Sequence, residues 1–445
     1  MKHRNFGWKL AIVFCILFNA ICGLYAQVPA ANSLKSARVQ DEELKFVVIV
    51  SRHGVRSPTG KTDQLNKFSR LPWPTWSVPP GYLTEHGARL MTVFGAYDRE
   101  ELAAQGLLAP SGCADVAHIK IIADSDQRTR ETGKALAAGL APGCALKVSA
   151  LPEGTADPLF HSLAAGVGHP NKQMATAAIY GRIGGNPQGL TEAYRPQLEA
   201  LEEVLDGCNS DANCTAAVKP QSLFDLPSSL KPGTGDHLVE LRTPLGIASS
   251  MTENLLLEYA EGMDANNVGW GHVDLEKLRY LLQLHAASED IERRTSYIAR
   301  AQSSNLLFHI LRSLKQATDS KPVAGALTKP GDRLLILVGH DTNISNISGA
   351  LGLNWLIDGR CDDTPPGGAL IFELWKKHDA PEYSVHTYFT AQTLDQMRNA
   401  TLLNVTNSPE RVPVFVPGCS RADLSCPWKA FQQAVQAGTD PIFVK

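Results

Sequence analysis

The sequence of 445 residues lacks an excess of positive charge, because 42 Lys and Arg stand against 45 Asp and Glu, for a formal net charge of -3. A chain without a basic field is a poor partner for nucleic acid, so we expect none to bind. Any anion site must then be a local cluster of Arg and Lys. No internal repeat or low-complexity tract stands out. The hydrophobic share of 44% and the charged share of 20% indicate a globular protein with a sizeable core and exclude wholesale disorder.

Long apolar runs are missing beyond the N-terminus. There, a basic start is followed by the apolar stretch Leu10 to Ile21, which is too short for a membrane span, and then by small residues. We interpret residues 1–26 as a signal peptide, cut after Ala26 or near Ala30 or Ala31. A retained membrane anchor is the alternative. The mature chain is expected to be periplasmic or secreted, with no membrane contact.

The nine cysteines lack the C-x-x-C spacing and neighbouring histidines of a structural zinc site, and no metal is expected. Two of them fall in the targeting segment. Two close pairs lie in polar, turn-rich surroundings that suit small disulfide loops, and a third pair flanks a strand–helix unit whose ends it could join. These pairs are Cys208/Cys214, Cys419/Cys426 and Cys113/Cys144. Cys361 is left over as a free thiol.

Three apolar, β-branched runs, residues 45–50, 119–123 and 334–338, predict strands that are buried on both faces of an α/β sheet. A polar cluster follows each run directly, and the second cluster, Asp124 to Asp126, is also expected to cap a helix. Ligands of α/β sheets bind beyond the carboxyl ends of the strands, so we expect the three clusters to share one site. Three unrelated loops are the alternative.

The middle of the chain, residues 165–325, has a different pattern. Helical periodicity dominates and no strand run is comparable to the three above. The predicted helices include residues 196–206, 246–262 and 291–316. We interpret this part as a mainly helical subdomain that is inserted between two parts of an α/β core, residues 44–164 and 326–445.

The first polar cluster suits phosphate chemistry. Arg52 and Arg56 bracket the imidazole of His53, on a turn that Gly54 allows to bend and Pro58 stiffens. Guanidinium groups supply paired donors that fit phosphate oxygens. Their charge also disfavours the imidazolium form, so His53 is expected to stay neutral and nucleophilic at acidic pH.

The other two clusters add complementary groups. Arg128 could supply a third guanidinium, whereas Arg130 should face elsewhere on the same helix. His340 can donate to a phosphoryl oxygen, and Asp341 can protonate the leaving oxygen of a phosphate monoester. An Asp next to phosphate is expected to have a raised pKa. Surface residues and structural caps are the alternatives for these groups.

The segments Arg52–Pro58 and Gly339–Asn343 resemble the two-part signature of the histidine acid phosphatases. More closely, the chain resembles the bacterial periplasmic phytases and glucose-1-phosphatases. The likeness spans nearly the whole mature chain and continues in residues 73–76, 121–130, 139–144, 269–271, 364–368 and 419–426.

This resemblance implies a phosphoglycerate-mutase-like α/β fold, a mixed sheet flanked by helices, with the helical insert acting as a lid. It implies that His53 attacks phosphorus to form a phosphohistidine and that Asp341 protonates the leaving alcohol. The implied phosphate-binding residues are Arg52, Arg56, Arg128 and His340. The resemblance implies no metal and no organic cofactor. The expected ligand is a small phosphorylated substrate, and the protein is expected to be a monomer. The three cysteine pairs resemble bridges of the family.

Phytate, myo-inositol hexakisphosphate, is the substrate that the resemblance favours. The implied substrate-binding residues are Thr59, Lys61, Glu253 and Thr342. In the phytases a Lys usually follows the Thr of the first loop, but here Gly60 does so and Lys61 comes one place later. An exposed helix carboxylate is the alternative for Glu253.

Other functions remain open at this point. A glucose-1-phosphatase or a broad-specificity acid phosphatase is the main alternative. A phosphohistidine mutase fits export and an acid next to His340 less well, and a non-catalytic phosphate binder would not need both a nucleophile and an acid.

Overall fold

The computed structural model describes residues 42–60, 62–207 and 219–445. Its main sheet has eight strands, and two further pairs of short strands form hairpins. The strands are β1 (Glu42–Arg52), β2 (Ile119–Ala123), β3 (Val148–Ser149), β4 (Ser229–Pro232), β5 (Val239–Arg242), β6 (Leu334–Gly339), β7 (Leu356–Ile357), β8 (Arg360–Cys361), β9 (Ala369–Lys377), β10 (Tyr383–Ala391), β11 (Glu410–Pro413) and β12 (Cys426–Pro427). The order in the main sheet is β11-β10-β9-β1-β6-β2-β3, with β12 beside β10.

This sheet is mixed, as predicted. The strands β1, β6, β2 and β3 pair in parallel, whereas β10 pairs antiparallel with β9, β11 and β12. Every residue of β6 is buried, which explains why the run Leu334–Val338 is apolar without alternation. The three runs predicted as buried strands are therefore three neighbouring strands at the centre of the sheet.

Helices surround the sheet. The described residues contain eleven α-helices. They are α1 (Glu85–Ala104), α2 (Gln127–Leu140), α3 (Lys172–Arg182), α4 (Gln188–Ala193), α5 (Arg195–Leu205), α6 (Pro244–Ala260), α7 (Leu275–Arg293), α8 (Ser296–Asp319), α9 (Asp341–Leu351), α10 (Leu394–Arg398) and α11 (Trp428–Gly438).

Alternate residues of the central strands supply two separate cores. Val47 and Ile336 pack with α1 and α2 on one face, and Val48 and Leu335 pack with α8, α9 and α11 on the other. The helices α1 and α2 approach very closely at Gly139 of α2. A Cβ on this residue would lie 1.9 Å from the carbonyl oxygen of Thr92 in α1. The sheet is thus the middle layer between two layers of helices.

The helical part of the chain has its own apolar cluster, which is built mainly by α5, α6 and α7. The single helix predicted for residues 291–316 is wrong, since α7 ends at Arg293 and α8 begins at Ser296. Thr295 separates them as the N-cap in extended backbone. Thr is a favoured N-cap residue and could have signalled this start. The apolar pattern, however, continues across the break and predicted one helix. The hairpin of β4 and β5, too short to give a clear run, was also missed.

Two disulfides are present in the described residues. Cys113 is bonded to Cys144 and Cys419 to Cys426, while Cys361 is exposed and free. The predicted signal peptide and the pair Cys208/Cys214 lie outside the described residues. None of the helices in the described part of the chain has the length and apolar composition that a bilayer span requires.

Candidate active site

The three predicted polar clusters emerge at one edge of the sheet. In the parallel register Arg52 pairs with Gly339, and Val338, one residue earlier, pairs with Ala123. The carboxyl ends of β1, β2 and β6 therefore lie side by side, and the segments that follow them are brought together.

Three guanidinium groups collect at this edge. Arg52 is fully buried and donates to the carbonyl oxygen of Thr364 at 2.6 Å. Arg56 and Arg128 line a cavity at this edge, whereas Arg52 is not part of its lining. Burial and the neighbouring charge of Arg52 lower the pKa of Arg56 to about 10, against the opposing effect of the nearby Glu253 carboxylate. Arg56 therefore still carries its charge at acidic pH.

His53 lies among these arginines and is almost fully buried. Its Nδ1 is 2.9 Å from the carbonyl oxygen of Gly54. Because a carbonyl can only accept, Nδ1 carries the proton and Nε2 keeps its lone pair. Burial and then the charges of Arg128, Arg56 and Arg52 hold the pKa of His53 well below its usual range. The imidazole is therefore neutral at acidic pH, as expected from the sequence, with Nε2 available as a nucleophile.

Asp341, the first residue of α9, is paired with Arg52, with Oδ2 2.8 Å from Nη2. Burial alone would raise the pKa of Asp341, but the positive charges of Arg52 and its neighbours outweigh this and hold it far below its usual range. The raised pKa predicted from the sequence concerns Asp341 beside a bound phosphate and stays a prediction; without phosphate, the ion pair with Arg52 keeps the carboxyl ionised.

Glu253, on α6, is 7% exposed, so the alternative of an exposed helix carboxylate is wrong. Its Oε1 accepts from Nη2 of Arg52 and lies 3.5 Å from Nη2 of Arg56, while Oε2 lies 3.6 Å from Nε2 of His285. Burial would raise the pKa of Glu253, but the charge of Arg52 and then those of its other neighbours lower it. Glu253 is thus an anion that holds two guanidiniums in place, outside the lining of the cavity.

The cluster Asp124 to Asp126 was expected both to cap a helix and to share the site, and Asp124 contributes to the site. The N-cap of α2 is Asp126, which makes no side-chain capping bond and pairs instead with Arg128 at 2.6 Å. Oδ2 of Asp124 lies 2.6 Å from Nε2 of His340 and 2.9 Å from Nε2 of His161. The carboxylate is fully buried and binds two imidazoles instead of backbone amides.

His161 and Asp236 are further site residues that the sequence pattern did not identify. Nδ1 of His161 lies 2.8 Å from Oδ2 of Asp236. Burial would lower the pKa of His161, but the bonds to Asp124 and Asp236 raise it to about 10. His161 is therefore an imidazolium that donates to two carboxylates. Neither residue follows a predicted strand, so no local signal marked them.

His340 has both ring nitrogens engaged. Nε2 is bonded to Asp124, and Nδ1 lies 3.4 Å from Nη2 of Arg128. Because a guanidinium only donates, Nδ1 accepts and the proton sits on Nε2. Burial and the charge of Arg128 lower the pKa of His340, although the bond to Asp124 opposes this. His340 can therefore donate to a phosphoryl oxygen only after Nδ1 takes up a proton.

His53, Asp341 and His340 line the cavity, together with Arg56, Arg128, His161 and Asp236. Its volume is about 430 Å³, which is typical of small-molecule sites. Thr59 and Thr342 also line it, while Lys61 lies outside the described residues. A second wall is formed by the loop between β4 and β5, residues 234–237, together with Arg293 and Gln302. Most of the predicted catalytic and substrate-binding residues therefore line this cavity. They are His53, Arg56, Thr59, Arg128, His340, Asp341 and Thr342. Arg52 and Glu253 are not part of the lining.

One set of four side chains has the spacing of a cation site. Ligand atoms of Asp124, Asp126, His161 and His340 lie within 4.8 Å of one another. These groups already pair among themselves and with Arg128, and His161 keeps its protons between two carboxylates. We interpret the set as an ion-pair network.

Comparisons with known proteins show the family of the chain. The profile of the histidine phosphatase superfamily (branch 2) matches residues 43–390. The chain belongs to this family. Phytase AppA of Escherichia coli (strain K12) is 38% identical over 417 residues, which cover 92% of this chain and 95% of the relative. A glucose-1-phosphatase of Providencia rettgeri is 29% identical over 416 residues, with 92% and 95% coverage.

Among solved structures, the Hafnia alvei phytase in complex with tartrate superimposes with a TM-score of 0.82 at 35% identity, covering 91% of this chain and 99% of that one. Family, relatives and fold together identify this protein as a phosphatase with the mixed α/β fold of the histidine phosphatases.

Proposed function

We propose that this phosphatase hydrolyses phosphate monoesters at acidic pH through a phosphohistidine on His53, and that phytate is its favoured substrate. The observation that carries the proposal is the neutral imidazole of His53, whose Nε2 has a lone pair and whose surroundings are Arg52, Arg56 and Arg128. The similarity to phytases supports the substrate.

In the first step, Nε2 of His53 attacks phosphorus in line with the ester oxygen. The N–P bond forms while the bond from phosphorus to the alcohol oxygen breaks, and Asp341 gives that oxygen a proton. Arg52, Arg56 and Arg128 bind the phosphoryl oxygens, whose charge they stabilise in the transition state.

In the second step, a water molecule attacks the phosphohistidine. It transfers one proton to Asp341 while the N–P bond breaks, so that inorganic phosphate leaves and both His53 and the acid are regenerated. Asp341 can hold this proton when phosphate is bound, because phosphoryl oxygens then compete for the guanidinium of Arg52 that otherwise keeps the carboxyl ionised.

His340 acts as a conditional donor in this scheme. The dianionic phosphoryl group and the Asp124 carboxylate would together favour protonation of Nδ1, which could then donate to a phosphoryl oxygen. Thr59, Thr342 and Lys61 are proposed to contact the rest of the substrate, and Glu253 to orient the arginines.

The test is to measure kcat/KM on phytate, glucose 1-phosphate and p-nitrophenyl phosphate across acidic pH. His53→Ala should lose more than about 1,000-fold on all three substrates, because no other group replaces the nucleophile. His309→Ala is a matched control, since His309 bonds the carbonyl oxygen of Gly325, outside the cavity lining. Substantial activity in the His53 variant would refute the mechanism. A preference for glucose 1-phosphate over phytate would favour the alternative substrate.

Several further features belong to the same proposal. We propose that residues 1–26 direct export to the periplasm or outside the cell, where Cys208 and Cys214 form a third disulfide. We also propose that residues 165–325 act as a helical lid over a core of residues 44–164 and 326–445, in a monomeric enzyme without metal or cofactor.

A further inference from the structure

The cavity lining contains a guanidinium that the phosphohistidine mechanism does not use. Arg293, the last residue of α7, lines the cavity and is only 7% exposed. Its Nη2 lies 3.1 Å from Nδ1 of His237, and its Nε is buried without a hydrogen-bond partner among the described residues. A buried cation with donors to spare, beside a cavity, points to an anionic ligand.

The carboxylates near Arg293 do not satisfy it well. The nearest, Oε1 of Glu289, is 3.7 Å from Nε, beyond hydrogen-bond distance. Burial raises the pKa of Glu289 and of Glu292, so both take up protons as the medium becomes acidic. Asp236 is nearby but is held by His161 and by the amide of Ala164, at 2.9 Å. Arg293 thus keeps positive charge for a ligand.

His237 adds a second donor to this wall. Because its Nδ1 accepts from Arg293, the remaining proton sits on Nε2. The charge of Arg293, and then burial, lower the pKa of His237, so an anion that neutralises Arg293 would also favour a protonated His237. The loop that holds His237 is a tight turn, with Gly235 at a φ of 57°.

Contacts link this wall to the nucleophile across the cavity. The ring of His53 lies 5.5 Å from that of His340, and the ring of His340 lies 5.2 Å from that of His161. His161 in turn bonds Asp236, the neighbour of His237. His53, His237 and Arg293 thus line one cavity, in which a ligand with two anionic groups could meet the arginines near His53 with one group and Arg293 with the other.

We propose that Arg293 and His237 form a subsite for a second phosphate group of the substrate, so that polyphosphorylated substrates are preferred over simple monoesters. This inference rests on the proposed function, because it presumes that a first phosphate is bound at His53. The subsite raises affinity for the substrate and does not take part in bond breaking.

The test compares binding of a polyanion and of a single anion. Calorimetry gives the Kd of myo-inositol hexakissulfate, which cannot be hydrolysed as a phosphate, and the Kd of inorganic phosphate. Arg293→Gln should raise the Kd of the hexakissulfate about ten-fold more than that of phosphate, as expected for the loss of a charged hydrogen-bond donor. The control is Arg242→Gln. Arg242 lies on the hairpin of β4 and β5 that carries His237, but it is exposed and paired with Glu240. This variant removes the same charge and should leave the ratio of the two Kd values unchanged.

A second variant keeps the test decisive if Arg293→Gln does not fold. His237→Glu places a carboxylate beside Arg293, which should preserve the fold and weaken hexakissulfate binding at least as much. Equal changes for both ligands, or no change in either variant, would overturn the subsite. Failure of the proposed function would be seen separately, as hydrolysis of p-nitrophenyl phosphate by His53→Ala at a rate close to that of the wild type.

Discussion

In the wild type, the free energy of unfolding should fall as the pH rises from about 6.5 to about 10, and replacing His161 by Gln should make this fall smaller. His161 bridges the carboxylates of Asp124 and Asp236, and these bonds raise its pKa from the ordinary value of 6.5 to about 10. At 1.36 kcal/mol per pKa unit this corresponds to an upper limit of about 5 kcal/mol. Since 31% of the side chain is exposed, solvent screening reduces the expected contribution to about 2 kcal/mol.

The pH range follows from the sign of the shift. A raised pKa in the folded state stabilises the protein fully below pH 6.5, where both states are protonated, and this stabilisation is lost as the pH rises towards 10. The pKa values of Asp124 and Asp236 are lowered despite burial, chiefly through their bonds to His161, so their contribution is lost on the acid side, as the pH falls below 3.8. The three groups together stabilise the fold most between these limits.

Urea unfolding of wild type and His161→Gln, followed by tryptophan fluorescence, measures the difference at pH 5.5 and at pH 10. We expect a gap in unfolding free energy of about 2 kcal/mol at the lower pH and below about 0.5 kcal/mol at the higher. His309→Gln is the control, because His309 bonds a backbone carbonyl and no carboxylate. The same gap at both pH values would show that His161 is not held as an imidazolium.

Three other perturbations test separate parts of the structure. Asp341→Asn should lower kcat/KM on phytate at least about 100-fold more than on p-nitrophenyl phosphate, whose leaving group needs no acid; equal losses would remove Asp341 from that role. Gly139→Ala places a Cβ 1.9 Å from the carbonyl oxygen of Thr92 and should cost about 1 to 3 kcal/mol in urea unfolding. Replacing Cys113 and Cys144 by Ser, which frees a loop of 31 residues, should cost about 3 to 4 kcal/mol by the same assay, and a loss below 1 kcal/mol would contradict this.

The central strands could be predicted because burial on both faces requires apolar, β-branched residues throughout. The run Leu334–Val338 has no polar position, and its strand is buried along its whole length. Parallel pairing then places the ends of such strands at one edge, which is why Arg52 and the segment after Gly339 were expected to meet.

Predictions that needed the neighbours of a residue failed or were missing. The two imidazole partners of Asp124 were not predicted, because local sequence cannot show that histidines 37 and 216 residues away reach its carboxylate. For the same reason the ion pair of Asp341 with Arg52, which lowers the pKa of Asp341 in the absence of phosphate, was not predicted, since it depends on how β1 and α9 are placed. Glu253 was expected at the substrate or in solvent, yet it lies behind the arginines.

The sequence by itself indicated which groups are candidates for the chemistry, because residue type and the strands they follow point to His53, the arginines and Asp341. The two arginines beside His53 in the sequence also predicted its neutral imidazole. Only the tertiary structure decided the partners of these groups and the protonation of the others. Burial and charge act through distances of a few ångströms between segments far apart in the chain, so the cationic His161 and the unsatisfied Arg293 could be recognised only once those segments were together.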